Sequence, residues 1–309
     1  MRATRAVQKI LANYEADSPG VKGNLCRILM NGKLGGTGKL IILPVDQGFE
    51  HGPGGGVAPT PPAEAPPAHC QLAIDAGLSA FAAPLGLLEA GADTYAGQIP
   101  MILKANSANS LIPGEAPKDS AITACVDDAL RIGASAIGFT IYPGSSAALE
   151  MMEEISALRE EAAAKGVATV IWSYPRGEAL DSDGETAIDI GAYAAQIASL
   201  LGAHIIKVKL STDHLSLPAA KKVYEEQDID ISTQAARVRD VMKSAFNGRR
   251  IVVFSGGSKK DASSVYDNAR AIRDGGGNGS IIGRNTFQRE RGEALEMLGK
   301  LIDIYKGKA

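Results

Sequence analysis

Short apolar runs recur along this chain at intervals that suit strands separated by helices. Eight such runs, rich in β-branched residues, are each followed by a Gly, Pro or polar turn and then by an Ala- and Glu-rich helical pattern. They are KLIILPVD (39–46), SAFAAP (79–84), IPMILKAN (99–106), SAIGFTIY (135–142), ATVIWSY (168–174), HIIKVKL (204–210), RIVVFSG (250–256) and SIIGR (280–284). Because each run is almost continuously hydrophobic, we predict strands buried on both faces, as in a parallel sheet covered by helices.

Eight β/α units within about 250 residues predict a closed barrel, although a doubly wound open sheet would give a similar series of runs. We therefore predict an α/β protein with a single (β/α)8 (TIM) barrel domain over 1–309, in which 1–38 form an N-terminal helical extension. The opening MRATRAVQKILANY resembles a transit peptide, but the spacing of Val7, Ile10 and Leu11 favours an ordinary amphipathic helix. Another helix is predicted over 147–165.

The composition argues against several classes of protein. The formal net charge is −3 over 309 residues with no basic stripe, so a nucleic-acid partner is not expected. No apolar run approaches the length of about 20 residues that a membrane span needs. Cys26, Cys70 and Cys125 are widely spaced, which predicts a reducing cytoplasm rather than a disulfide framework. The four histidines show no paired spacing, so neither a metal site nor a cofactor is predicted.

Polar residues at the ends of the apolar runs are the candidates for chemistry, because an ionisable group inside a barrel is costly unless it works or is paired. They are Asp46 after the first run, Lys104 and Asn106 at the third, Trp172 and Tyr174 at the fifth, and Lys207 and Lys209 at the sixth. The two-residue period of a strand puts Lys207 and Lys209 on one face.

The KxK spacing of Lys207 and Lys209 permits two interpretations. Within a low-dielectric interior, each ammonium would lower the pKa of the other, and a neutral amine could then attack a carbonyl to form a Schiff base. Alternatively, both side chains are simple counter-charges that reach water or a phosphate. Schiff-base chemistry would also need a proton shuttle, for which Tyr174 and Asp46 are candidates. Tyr174 and Trp172 could equally be core residues.

The seventh and eighth runs end in SGGS (255–258) and IIGRN (281–285), where barrels commonly bind phosphate through backbone amides. Gly256, Gly257 and Gly283 would permit close approach of a phosphate to the backbone, and Arg284 would supply a positive charge. The Gly- and Pro-rich segment 52–67 follows the first run, so it falls at the same mouth. It is either a lid or a stiff surface loop.

Seven motifs, taken in order, resemble the archaeal-type class I fructose-bisphosphate aldolases. They are DQGFEHGP (46–53), ILKAN (102–106), TIYPGS (140–145), WSYPRG (172–177), GAHIIKVK (202–209), SGG (255–257) and IGRN (282–285). The resemblance spans roughly residue 39 to the C-terminus. Many archaeal members read DHG where this chain has Gln47 after Asp46, so a role for a histidine at 47 is not transferred.

The resemblance implies a (β/α)8 barrel that cleaves fructose 1,6-bisphosphate to dihydroxyacetone phosphate and glyceraldehyde 3-phosphate without metal. It places the Schiff-base lysine at Lys207, the proton-transfer tyrosine at Tyr174 beside Trp172, and the motif aspartate at Asp46. It places phosphate binding at Ser255, Gly256, Gly257, Gly283 and Arg284, and the family implies a homo-oligomer, in some members a large ring. We also expect Trp172, Lys104 and Lys209 to contact the substrate.

Two other functions stay open on the sequence alone. One is a related Schiff-base synthase, transaldolase-like and forming an amino-deoxy-heptulosonate, against which the WSYPRG motif argues. The other is a non-catalytic scaffold that binds a phosphosugar, against which the joint presence of Lys207, Tyr174 and Asp46 argues.

Overall fold

The computed structural model describes residues 2–56, 66–112, 116–257 and 260–309. Eight parallel strands close into a barrel in the order β1, β2, β3, β6, β7, β8, β9, β10, and β10 pairs with β1. The barrel strands are β1 (Leu40–Pro44), β2 (Ala80–Pro84), β3 (Met101–Lys104), β6 (Ala136–Ile141), β7 (Ala168–Ser173), β8 (Ile205–Lys209), β9 (Ile251–Ser255) and β10 (Gly279–Ile281). The (β/α)8 prediction is therefore confirmed, and each strand lies within, or within one residue of, a predicted run.

Fourteen α-helices are found in the described part of the chain. They are α1 (Arg5–Leu11), α2 (Pro19–Met30), α3 (Gln47–Gly56), α4 (Pro66–Ala76), α5 (Leu85–Glu89), α6 (Ala92–Tyr95), α7 (Val126–Arg131), α8 (Ala148–Ala164), α9 (Ile188–Leu200), α10 (Pro218–Glu226), α11 (Gln234–Ser244), α12 (Ala262–Asp274), α13 (Arg284–Phe287) and α14 (Arg291–Tyr305). Helix α8 is the one predicted over 147–165. None of the described helices combines the length and the apolar character that a bilayer crossing requires.

The strands sort their side chains by the two-residue period, because successive residues point to opposite faces. On β8, Ile205 packs in the interior of the barrel, whereas Ile206 and Val208 pack in the layer between strands and helices. On β1, Leu40 and Ile42 follow the same rule and face inward. This parity decides which polar residues reach the inside of the barrel.

The predicted N-terminal helices close the amino end of the barrel. Thr4 and Ser18 cap α1 and α2 by accepting hydrogen bonds from backbone amides. Val7, Val21 and Leu25 are fully buried and belong to the same apolar cluster as the inward-facing strand residues. Any ligand therefore has to reach the interior from the carboxyl end.

Two features at the carboxyl end were absent from the sequence-based prediction. A small antiparallel ladder pairs β4 (Asn106–Ser107) with β5 (Ala121–Ile122). The segment 52–67, predicted as a loop, is partly helical: α3 runs on to Gly56 across a break at Gly52, whose φ is +64°, and α4 begins at Pro66. Residues 57–65 lie outside the described part of the chain, so the lid stays a prediction.

Candidate active site

Lys207 points into the barrel from β8 near its carboxyl end. Its side chain is 4% exposed, and Ile205, two residues earlier on the same face, packs in the interior. Trp172 on β7 lies opposite Lys207 in the strand register and is fully buried. Lys207 also lines the cavity at the carboxyl end, so its amine is both shielded from bulk water and accessible to a ligand.

A second buried amine, that of Lys104 on β3, lies near the same aromatic ring. Nζ of Lys207 is 5.5 Å from the centre of the Trp172 ring, and Nζ of Lys104 is 5.7 Å from it. Lys209, which the KxK spacing predicted as the cationic neighbour of Lys207, instead donates to Oε2 of Glu185 at 2.9 Å. The interpretation that Lys209 is the cation beside Lys207 was therefore wrong. Glu185 forms an ion pair with Lys209, and the nearby cation, Lys104, lies on a different strand.

The environment of Lys207 increases the share of the neutral amine. Burial lowers the pKa of the Lys207 ammonium to about 8, because the charged form loses its hydration. The carboxylates of Asp46 and Glu50 oppose this shift, whereas the positive charges of Lys104 and Arg176 add to it. About a tenth of Lys207 is therefore uncharged at pH 7, far more than for an ordinary lysine, and this is the state that can attack a carbonyl.

Tyr174 lies directly beside this amine. Its ring centre is 5.3 Å from Nζ of Lys207, and the guanidinium carbon of Arg176 is 5.1 Å from the same ring. Burial, with Asp46 and Glu50 nearby, holds the pKa of the Tyr174 hydroxyl well above its usual value. The hydroxyl makes no hydrogen bond within the part of the chain that the structure describes, and the residue lines the cavity. The phenol is thus protonated and available to a ligand.

Asp46 follows β1 and occupies the cavity wall together with Glu50 of α3. Asp46 has the parity of Ile42 and Pro44, which directs it toward the inside of the barrel. Both acids act on the charge state of Lys207, as their influence on its pKa indicates. The site therefore combines two carboxylates, two amines and a phenol.

Gly138 on β6 makes the position of Trp172 possible. A Cβ at Gly138 would overlap the six-membered ring of the indole, so only glycine fits beside this side chain. Nε1 of Trp172 is buried and has no hydrogen-bond partner in the described chain. The indole thus acts mainly as a rigid apolar floor beneath Lys104 and Lys207.

The residues predicted to bind phosphate all line the same cavity: Ser255, Gly256, Gly257, Gly283 and Arg284. Nδ2 of Asn285 donates to the carbonyl of Gly256 at 3.0 Å, which ties the loop after β9 to the loop after β10. Gly257 has a φ of +69°, which favours glycine. The guanidinium of Arg284 makes no hydrogen bond or ion pair with any residue that the structure describes, so it remains available to an anion. Ser258 lies outside the described residues.

Glu50 and Arg176 were missed as functional candidates, although both stand in motifs that the sequence analysis quoted. The strand-end rule omitted them because Glu50 lies on α3 and Arg176 lies in the turn after β7. Their signal was a charge two to four residues beyond the end of a predicted run, where a turn folds back over the mouth of the barrel. No group of three or more His, Cys, Asp or Glu side chains suited to hold a metal ion occurs in the described ranges.

Comparison with known proteins assigns the family. The model of the DeoC/LacD family aldolases matches residues 40–289. The chain belongs to the DeoC/LacD family of aldolases. It is 36% identical to the class 1 fructose-bisphosphate aldolase of Halobacterium salinarum over 260 residues, which cover 84% of this chain and 88% of that protein. It is 34% identical to the corresponding enzyme of Thermoproteus tenax, with 88% of this chain and 91% of that protein covered.

A solved structure of another family member bears on the lysine. It is an archaeal fructose-1,6-bisphosphate aldolase with its catalytic lysine covalently bound to the carbinolamine intermediate of the substrate. That structure is 32% identical to this aldolase, has a TM-score of 0.72 and covers 87% of this chain and 94% of its own. A buried amine at the mouth of the barrel is therefore in keeping with the chemistry reported for that relative.

Proposed function

We propose that this aldolase is a class I fructose-bisphosphate aldolase, in which Lys207 forms a Schiff base with the ketose. The observation that carries the proposal is the buried amine of Lys207, whose pKa is lowered to about 8 and which faces the cavity beside a protonated phenol. The names of the curated relatives and the resemblance of the seven motifs support the same substrate.

The reaction begins with attack of the neutral Lys207 amine on the C2 carbonyl of fructose 1,6-bisphosphate. The carbinolamine loses water to give an iminium ion, which withdraws electrons from the C3–C4 bond. Tyr174 donates its proton to the hydroxyl that leaves the carbinolamine as water, and the resulting phenolate then accepts the proton of the C4 hydroxyl as the C3–C4 bond breaks and glyceraldehyde 3-phosphate leaves. Protonation of the remaining enamine at C3 and hydrolysis of the iminium ion release dihydroxyacetone phosphate and restore Lys207.

Asp46 and Glu50 would serve this sequence by their charge. The iminium ion is positive, and carboxylates at the wall of a low-dielectric cavity stabilise it more than they would in water. Ser255, Gly256, Gly257, Gly283 and Arg284 would bind one phosphate group through backbone amides and the free guanidinium. Trp172 is fully buried and is not among the residues that line the cavity, so it would support Lys207 rather than contact the ketose. Lys209 with its partner Glu185 would lie at the edge of the site.

Reductive trapping tests the proposal. Borohydride added with dihydroxyacetone phosphate should inactivate the protein irreversibly and add the mass of the reduced adduct to the peptide that contains Lys207. Borohydride alone is the control and should leave the protein active. An adduct on another peptide, or no adduct, would contradict the assignment.

A coupled assay for cleavage of fructose 1,6-bisphosphate separates this function from the two others. The related amino-deoxy-heptulosonate synthase would form the same lysine adduct but turn over little fructose 1,6-bisphosphate. A phosphosugar-binding scaffold would form no adduct and would show no activity to lose in Lys207→Met.

We also propose that the aldolase is a single-domain, cytoplasmic enzyme that assembles as a homo-oligomer and has neither nucleic acid nor membrane as a partner. Its mildly acidic composition and three widely spaced cysteines support the location. Sedimentation of the purified protein would determine the number of subunits.

A further inference from the structure

The two buried amines at the mouth of the barrel differ in their hydrogen bonds. Nζ of Lys104 donates to both the backbone carbonyl and Oδ1 of Asn106, the second at 3.0 Å. Nζ of Lys207 makes no hydrogen bond within the described part of the chain. Burial lowers the pKa of both ammonium groups to about 8. Because hydrogen-bond acceptors stabilise the charged form of Lys104, we expect it to keep its proton to a higher pH than Lys207 does.

Asn106 is itself fixed in the orientation that Lys104 requires. Its Oδ1 accepts from the backbone N–H of Thr140 at 2.6 Å, and its Nδ2 donates to the carbonyl of Thr140 at 2.8 Å. These two bonds fix the orientation of the side-chain amide, so that its Oδ1 faces Nζ of Lys104. The β4–β5 ladder holds the backbone of Asn106 in place, because Asn106 pairs with Ile122.

The position of Lys104 makes its charge effective on Lys207. Both amines lie over the fully buried Trp172, so no bulk water separates them. Lys104 is 3% exposed and is not among the residues that line the cavity. Its place is therefore behind the reactive amine rather than against the substrate, which differs from the substrate contact predicted from the sequence.

We propose that Lys104 keeps its proton when Lys207 loses its own, and that the charge of Lys104 increases the fraction of Lys207 present as the free amine. Lys104 is then a positioning residue that acts through Lys207, and Asn106 is the acceptor that makes it the better base of the two. This inference rests on the proposed function, since it concerns the same Schiff-base lysine.

Other charged groups face Lys207 from the neighbouring elements. Asp46 and Glu50 approach from β1 and α3, and Arg176 approaches from the turn after β7. The two acids favour protonation of Lys207, and Arg176 disfavours it. Lys209 on the same strand is neutralised by Glu185, and Tyr174 is uncharged at neutral pH. Among these groups, Lys104 is the one cation that is both fully buried and packed on the same ring as Lys207.

The test measures the rate of reductive trapping by cyanoborohydride and dihydroxyacetone phosphate between pH 6 and pH 10. In the wild type, we expect the rate to rise with pH to a plateau, with a midpoint near the Lys207 pKa of about 8. In Lys104→Met the repulsion is lost, so the midpoint should move up by about one pH unit and the rate below it should fall about tenfold. The plateau rate should be retained.

Lys104→Arg is the matched control, because arginine keeps the charge over the whole range; its midpoint should stay close to that of the wild type. Lys104→Gln provides a second uncharged variant if the methionine does not fold, and circular dichroism reports folding for each. A uniform loss of rate at every pH, with the midpoint unmoved in the uncharged variants, would overturn the proposal and assign Lys104 a structural role.

The location of the adduct separates this inference from the proposed function. If wild-type protein gives no adduct on the Lys207 peptide, the proposed function fails. An adduct on the Lys104 peptide would overturn the inference, because Lys104 would then be the free amine. An adduct on Lys207 whose midpoint does not respond to Lys104 would overturn the inference and leave the proposed function standing.

Discussion

The amino and carboxyl ends of the barrel both bury polar side chains, but they differ in how those side chains are partnered. At the amino end, the hydroxyl of Tyr14 donates to the carbonyl of His204 at 2.6 Å and accepts from the backbone N–H of Ile251 at 3.2 Å. At the carboxyl end, the hydroxyl of Tyr174 and the amine of Lys207 have no hydrogen-bond partner among the described residues and face a cavity.

This difference separates stability from reactivity within one barrel. A buried polar group that is fully hydrogen-bonded contributes to stability, whereas an unpartnered one costs free energy and remains able to bind or react. The N-terminal extension supplies the partners at the amino end, because Tyr14 and Asp17 both lie between α1 and α2. We therefore expect matched substitutions at the two ends to have opposite consequences.

The largest expected effect is that of Lys207→Met. Loss of the only amine proposed to form the Schiff base should lower kcat by about 10⁴-fold or more, because the covalent route is removed. The midpoint of urea unfolding should stay the same or rise, since a buried amine without a partner is replaced by an apolar side chain of similar length.

Lys39→Met is the control for this substitution at the amino end. Nζ of Lys39, just before β1, donates to the carbonyl of Gly277 at 2.6 Å, and burial lowers the pKa of its ammonium. The variant should lose at most about 1–2 kcal/mol of unfolding free energy and keep its kcat. If Lys39→Met lost as much activity as Lys207→Met, the proposed difference between the two ends of the barrel would be wrong.

The second expected effect compares two buried tyrosines. Tyr174→Phe should lower kcat by about 10²- to 10⁴-fold, because the proposed proton acceptor for carbon–carbon cleavage is removed, while the trapped adduct on Lys207 still forms. Tyr14→Phe should lose about 1–2 kcal/mol of unfolding free energy with kcat unchanged, because two hydrogen bonds disappear far from the cavity. Steady-state kinetics and urea unfolding of both variants measure the two effects. A Tyr174→Phe enzyme with normal turnover would remove Tyr174 from the mechanism.

The sequence predicted the barrel well because its signal is local. Each strand is a short apolar run whose identity does not depend on distant residues, and the two-residue period put Lys207 and Lys209 on one face of their strand. The β4–β5 ladder was missed because each of its strands has only two residues, which is too short to form an apolar run. Ala121 and Ile122 are also exposed, so they do not belong to the core. Short strands of this kind depend on the surrounding fold.

The electrostatics of the site could not be predicted from the sequence in the same way. Lys104 and Lys207 come from β3 and β8, which have β6 and β7 between them in the barrel. Both amines reach the ring of Trp172 only because the strands close into a barrel. Lys209 was taken as the partner of Lys207 because it is near in sequence, yet Glu185, 24 residues away in the chain, neutralises it. Closeness in sequence predicts which face of a strand a side chain lies on, but it does not predict which charged residue lies across the barrel from it.

The smallest expected effect concerns Asp17 at the amino end. Nδ1 of His204 accepts from the backbone N–H of Thr169 at 2.8 Å, so the ring proton is on Nε2, which donates to Oδ1 of Asp17 at 3.1 Å. This hydrogen bond is the main reason why the pKa of the Asp17 carboxyl is lowered. A lowered folded-state pKa contributes stability that is present above the unfolded value of about 3.9 and lost as pH falls through the folded value.

Asp17→Asn should therefore lower the unfolding free energy by about 1 kcal/mol at pH 7, and the difference from the wild type should shrink as pH falls below about 4. Urea midpoints for both proteins from pH 7 to pH 3 measure this convergence, and kcat should be unchanged because Asp17 lies at the end of the barrel remote from Lys207. If the difference in unfolding free energy stays constant over this range, the charge of the Asp17 carboxylate does not contribute to its interaction with His204. A loss of kcat would mean that the amino end of the barrel influences the site. The N-terminal extension would then help to position the catalytic residues through the barrel strands.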